Sequence, residues 1–83
     1  MLSAKKMIET YITYGLDKAT WNMFYEMRCH DLVSYEAYNK FYDTCVDMRY
    51  NEDETQIVDG NGNILYQMDE QGYMVKVQKG ATK

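Results

Sequence analysis

The side chains of this chain that do chemistry elsewhere are few: one histidine, His30, two cysteines, Cys29 and Cys45, and thirteen Asp and Glu residues. His30 follows Cys29 directly, but neighbours along a helix point about 100° apart, and a thiol needs its base within hydrogen-bonding reach. A Cys-His dyad is therefore not expected. The cysteines lack the paired short spacings of a zinc site, and no metal or cofactor is expected. Asp59, Asn61 and Asn63, with Glu70 eleven residues after Asp59, match oxygen-ligand positions of a calcium loop. The sixth position is Ile64, however, where such a loop needs glycine for its sharp turn. The better reading is a hairpin turn, and the expectation is a non-enzymatic protein.

The carboxylates are unevenly placed. Between Asp43 and Asp59 stand Asp43, Asp47, Glu52, Asp53, Glu54 and Asp59 with Arg49 as the one base, in a chain of net charge −4. Set beside Tyr42, Tyr50 and Tyr66, they form a candidate partner-binding surface, because tyrosine and carboxylate together suit an arginine-rich counterpart. The bland alternative is a solvated turn kept polar for solubility. An acidic balance repels nucleic acid and anionic membrane, so the expected partner is a basic protein surface.

The elements that position these residues fall into two halves. Up to residue 50 the apolar spacing is helical. Ser3, Asp17 and Ser34 are good N-caps, and the pairs Leu2 with Met7, Leu16 with Trp21 and Val33 with Tyr38 have staple spacing. This predicts helices over 4–14, 18–30 and 35–50, the third carrying Tyr38, Phe41, Cys45 and Met48 as its stripe. If that helix runs to residue 50, the carboxylates beyond it face the negative end of its dipole, an arrangement that fold stability alone would not select. From Asn51 onward the pattern alternates, with turn signals at Gly60-Asn61-Gly62 and Asp69-Glu70-Gln71-Gly72. Three antiparallel strands are predicted, at 55–59, 63–68 and 73–78, with a flexible tail at 79–83. The expectation is one α+β domain over 1–78, three helices followed by a three-stranded meander.

Both thiols are expected reduced and buried, and the methionines Met7, Met23, Met27, Met48, Met68 and Met74 are expected in the core. With no apolar run of bilayer length and no signal-type leader, a cytoplasmic protein is expected. Nine tyrosines exceed what so small a core hides, so several rings are expected at the surface.

The order helix, helix, helix, hairpin resembles the winged helix-turn-helix family, with Cys29-His30-Asp31-Leu32-Val33 as the turn and 35–50 as the recognition helix. That resemblance implies a DNA-binding transcriptional regulator. The strip Glu36, Asn39, Lys40, Asp43 and Asp47 is net negative, and the wing Asp59–Asn63 has no base, so direct nucleic-acid binding is not expected. In size, acidity and lack of a catalytic constellation the chain resembles the small inhibitors that phages and other mobile elements direct at host defence, the anti-CRISPR class included. This second resemblance implies a nucleic-acid mimic occupying a basic surface of a host protein such as a CRISPR effector.

Overall fold

Three helices begin where the caps place them. In a computed structural model, which describes residues 1–77, α1 spans Ala4–Thr13, α2 Lys18–Cys29 and α3 Tyr35–Cys45. Ser3 Oγ accepts from the Lys6 amide, Asp17 Oδ2 from Thr20 and Ser34 Oγ from Ala37, at 3.1 Å in each case. Each bond satisfies an amide that the first helical turn leaves without a partner.

The ends of α1 and α2 share one device. Gly15 (φ 75°) and Asp31 (φ 62°) sit in the left-handed region. The amides of the residues that follow them, Leu16 and Leu32, reach back to the carbonyls of Tyr11 and Met27. This is the Schellman arrangement, which closes otherwise orphaned carbonyls.

The third helix stops five residues short of the expected 50, and Arg49–Tyr50 forms a strand, β1. Hence the sheet has four strands, with β2 at Gln56–Val58, β3 at Ile64–Met68 and β4 at Met74–Lys76, paired antiparallel in the order β1-β2-β3-β4. The physical reason is pairing: Arg49 lies opposite Val58 and Tyr50 opposite Ile57, and these ladder bonds replace the last helical turn. Met48 prolongs the helical period in sequence only. The strand expected at 73–78 is Met74–Lys76 among the described residues; residue 78 and the tail lie outside them.

The chain divides into two compact units, Met1–Val46 and Asp47–Lys83. Within the helical unit the buried side chains are Met7, Tyr11, Ile12, Phe24, Val33, Tyr38, Phe41 and Cys45. Phe41 is the centre of an aromatic cluster, with Tyr11, Trp21, Phe24 and Tyr38 at ring-centroid distances of 5.6, 4.7, 5.1 and 5.9 Å. Met23 is exposed rather than in the core, because Phe24 takes the inward position and its neighbour turns outward. In the sheet unit Ile57 is the fully buried residue among those described.

Three turns in the sheet unit share one backbone plan. Asp59 Oδ1 accepts from the amides of Asn61 and Asn63, and the Gly62 amide donates to the Asp59 carbonyl. Asp69 Oδ1 accepts likewise from Gln71 and Tyr73, and Gly72 donates to the Asp69 carbonyl. In the turn between β1 and β2, Asn51 Oδ1 accepts from Thr55 and Gln56, and Glu54 donates to the Asn51 carbonyl. The fourth residue of each turn is left-handed, with φ 85° at Gly62, 90° at Gly72 and 62° at Glu54. Two turns thus place glycine where the conformation requires it, and the third places a glutamate.

Candidate functional site

The acidic segment belongs to a sheet turn and not to a helix end. Since α3 ends at Cys45, Glu52, Asp53 and Glu54 do not directly trail a helix C-terminus, and the expected opposition between them and a helix dipole does not apply. What the fold does with each carboxylate differs. Asp47 Oδ2 accepts from the Gly60 amide at 3.3 Å. Asp59 organises its own turn and also accepts from Asn63 Nδ2. Asp53 Oδ1 accepts from Thr55 Oγ1 at 2.8 Å, and that bond, helped by backbone amides, holds its carboxyl below the ordinary aspartate range.

Glu52 and Glu54 are exposed and have no such turn bond. Asp43 is exposed on α3, in the other unit, together with Tyr42. None of Asp43, Asp47, Glu52, Asp53 and Glu54 forms an ion pair with a described lysine or arginine; the ion pair between described residues is His30 with Glu26, at 3.7 Å on the surface. Among the described residues no three His, Cys, Asp or Glu side chains converge on a possible metal position.

Tyr50 and Tyr66 occupy one cross-strand row with Ile57 between them, Tyr50 opposite Ile57 and Ile57 opposite Tyr66. Both are half-buried beside a fully buried residue. Burial, and then the nearby Glu54 charge, raise the Tyr50 phenol above its usual value. The two rings thus pack the sheet while keeping an edge in solvent.

The larger aromatic surface lies in the helical unit. On α2, Trp21, Tyr25 and Arg28 recur at helical spacing; on α3, Tyr35, Tyr38 and Tyr42 do the same. The two rows interlock. Trp21 meets Tyr42 at 5.6 Å, Tyr42 meets Tyr38 at 6.4 Å, and Tyr38 meets Tyr25 at 6.2 Å. The Arg28 guanidinium lies over Tyr35, Tyr25 and Tyr38 at 4.6, 5.2 and 5.3 Å. A hydrogen bond to Tyr35 strengthens its hold on the proton further, while its Nε is out of solvent with no partner.

Despite these contacts, Tyr35, Tyr25 and Tyr42 remain 68, 45 and 44 % exposed. A concavity of about 410 Å³ lined by Tyr11, Leu16, Lys18, Trp21, Asn22 and Val46 opens at one end of the ridge. A second, of about 530 Å³, opens at the other beside Arg28, Cys29, Asp31 and Tyr35.

Cys29 is exposed, contrary to expectation, whereas Cys45 is buried. Cys29 stands well over 90° around α2 from the inward Phe24, but Cys45 follows Phe41 by one helical turn and shares its inward side. Burial pushes the Cys45 thiol up to about 12.

Of the residues singled out from sequence, Tyr42 and Asp43 fall in the helical unit and Asp47, Tyr50, Glu52, Asp53, Glu54, Asp59 and Tyr66 in the sheet unit. The ridge of Trp21, Tyr25, Arg28, Tyr35 and Tyr38 was not among them. Its signal was the i, i+4, i+7 row on α2, adjoining the core stripe. No helix among the described residues is long and apolar enough to cross a membrane. Searches of protein-family models, curated proteins and solved structures found no match.

Proposed function

We propose that this chain is a protein-binding module that acts by occupying a partner's surface. The observation that carries the reading is the ridge between α2 and α3, where Trp21, Tyr25, Arg28, Tyr35, Tyr38 and Tyr42 form one contiguous, partly exposed set. Tyrosine, tryptophan and arginine dominate the energetic centres of protein interfaces. Rings held in place by their neighbours lose little freedom on binding.

In its narrower form the proposal adds the turn Asn51–Thr55 as an address for a basic partner in the cytoplasm. Support for this comes from the exposed Glu52 and Glu54, and from Asp53, whose lowered proton affinity keeps it charged. A surface that normally holds nucleic acid, such as that of a CRISPR effector, has the matching chemistry, and the chain would then be an inhibitor of the nucleic-acid-mimic kind.

The test is capture from lysate of the native host, at low and at high salt, by the wild type, by Tyr25→Ser with Tyr42→Ser, and by Glu52→Lys with Glu54→Lys. The ridge variant should lose on the order of tenfold or more in affinity, and the turn variant should lose the salt-sensitive part. A partner that binds both variants as well as the wild type removes the proposal. Tight, salt-sensitive shifting of mixed genomic DNA fragments would replace it with the DNA-binding regulator that the helix order resembles.

A further inference from the structure

The charges within the ridge have the opposite sign to those of the turn. Lys18 lines the concavity with Trp21 and Asn22, and Arg28 sits among the tyrosines. The carboxylates of the same two helices stand elsewhere: relative to the inward Phe24 and Phe41, Glu26, Glu36 and Asp43 fall on the strips farthest from the core, and Glu26 faces His30. Lys18 is exposed, and no described carboxylate pairs with it or with Arg28.

In the sheet unit the Asn51–Thr55 turn offers Glu52, Asp53 and Glu54, all exposed and with no described cation bound to them. From this complementarity we infer that the ridge of one molecule receives the acidic turn of a second copy. The inference rests on reading the ridge as a protein-binding surface and names its occupant.

Like charges count against the alternative in which two ridges pair with each other, because Lys18 and Arg28 of one copy would then meet those of the other, with Asp31 the one carboxylate lining either concavity. A ridge-to-turn contact is heterologous. Each molecule keeps one free ridge and one free turn, so association continues to longer chains unless the rotation closes a ring. The turn is then hidden in every molecule but one of an open chain. Self-association would accordingly compete with any cationic partner for Glu52 and Glu54.

The geometry of a heterologous contact supplies its own experiment. Let one variant lose the ridge (Lys18→Glu with Tyr25→Ser) and another lose the turn (Glu52→Lys with Glu54→Lys). Sedimentation of the wild type should show a mass that rises with protein concentration and falls with added salt. Each variant alone should lose that concentration dependence. An equimolar mixture should form one-to-one pairs that grow no further, because the intact ridge of one variant meets the intact turn of the other.

Circular dichroism establishes that each variant is folded, and Lys18→Glu alone, which changes no ring, serves if the double variant is not. A wild type that stays monomeric at every concentration overturns the inference, as does a turn variant that associates like the wild type, or a mixture that stays monomeric. Single-stranded oligonucleotide bound by the wild type and released by the ridge variant also overturns it, assigning the rings to bases instead. A monomeric wild type whose lysate partner still depends on Tyr25 and Tyr42 ends this inference alone; loss of both dependences ends the broader reading too.

Discussion

The turn at Asn51–Thr55 and the turn at Asp69–Tyr73 meet the same geometric demand with different residues. Each opens on an Asx side chain whose oxygen gathers two amides, four and five residues ahead at Asn51 and two and four ahead at Asp69, and each needs a left-handed residue at its fourth position. Gly72 meets that need without steric cost, and Glu54 meets it with a Cβ pressed toward a carbonyl, at roughly 1–2 kcal/mol. The first turn is therefore not optimised for stability. A charged side chain occupies the position where the chain elsewhere places glycine, and it points its charge at solvent.

The largest effect should come from Asn51→Ala. Asn51 Oδ1 accepts two amides at 3.0 Å, and its Nδ2 donates to Gln56 Oε1 at 3.1 Å, all partly buried. Its loss should cost about 1–3 kcal/mol in chemical denaturation, and a cost near zero would mean that the asparagine does not hold the turn.

A smaller and reciprocal effect is expected from exchanging the fourth residues. Glu54→Gly should stabilise by about 1 kcal/mol and Gly72→Glu should destabilise by about the same amount. An added Cβ at Gly72 meets nothing within 4 Å, so the second change reports the backbone alone. If both variants shift the denaturation midpoint in the same direction, the two turns are not equivalent.

The smallest effect concerns protonation. Asp53 has a lowered folded pKa because Thr55 hydrogen-bonds it. Its contribution to stability is therefore present above the unfolded aspartate value and disappears as pH falls through the lower folded one. Thr55→Val should move the Asp53 carboxyl titration, followed by carbon NMR, upward toward ordinary aspartate. An unmoved titration would assign the shift to another cause.

The helical unit was legible in sequence to a degree that the sheet unit was not. Ser3, Asp17 and Ser34 are caps whose side chains act locally, and Phe24 and Phe41 anchor apolar rows with a clear period; local chemistry and burial agree there. The end of α3 was misplaced because Met48 continues the row of Tyr38, Phe41 and Cys45, while neither glycine nor proline marks the stop. The information that ends the helix lies in Ile57 and Val58, the partners of Tyr50 and Arg49 across the turn. A two-residue strand has no alternation to read.

The acidic residues of the candidate surface were found, but their reason was not. Asp47, Asp53 and Asp59 serve turns, and Glu52 and Glu54 remain as exposed charge. The aromatic ridge escaped because a ring row beside a core stripe reads as more core, and the exposure of Tyr25, Tyr35 and Tyr42 depends on how α2 and α3 pack together.

The unequal surroundings of the two thiols give the protein a built-in reporter position. Cys45, buried and with its thiolate out of reach near neutral pH, should ignore a maleimide dye that Cys29 accepts. One fluorophore can thus be attached to the unaltered chain next to Arg28, where its brightness would register whatever comes to rest on the neighbouring rings.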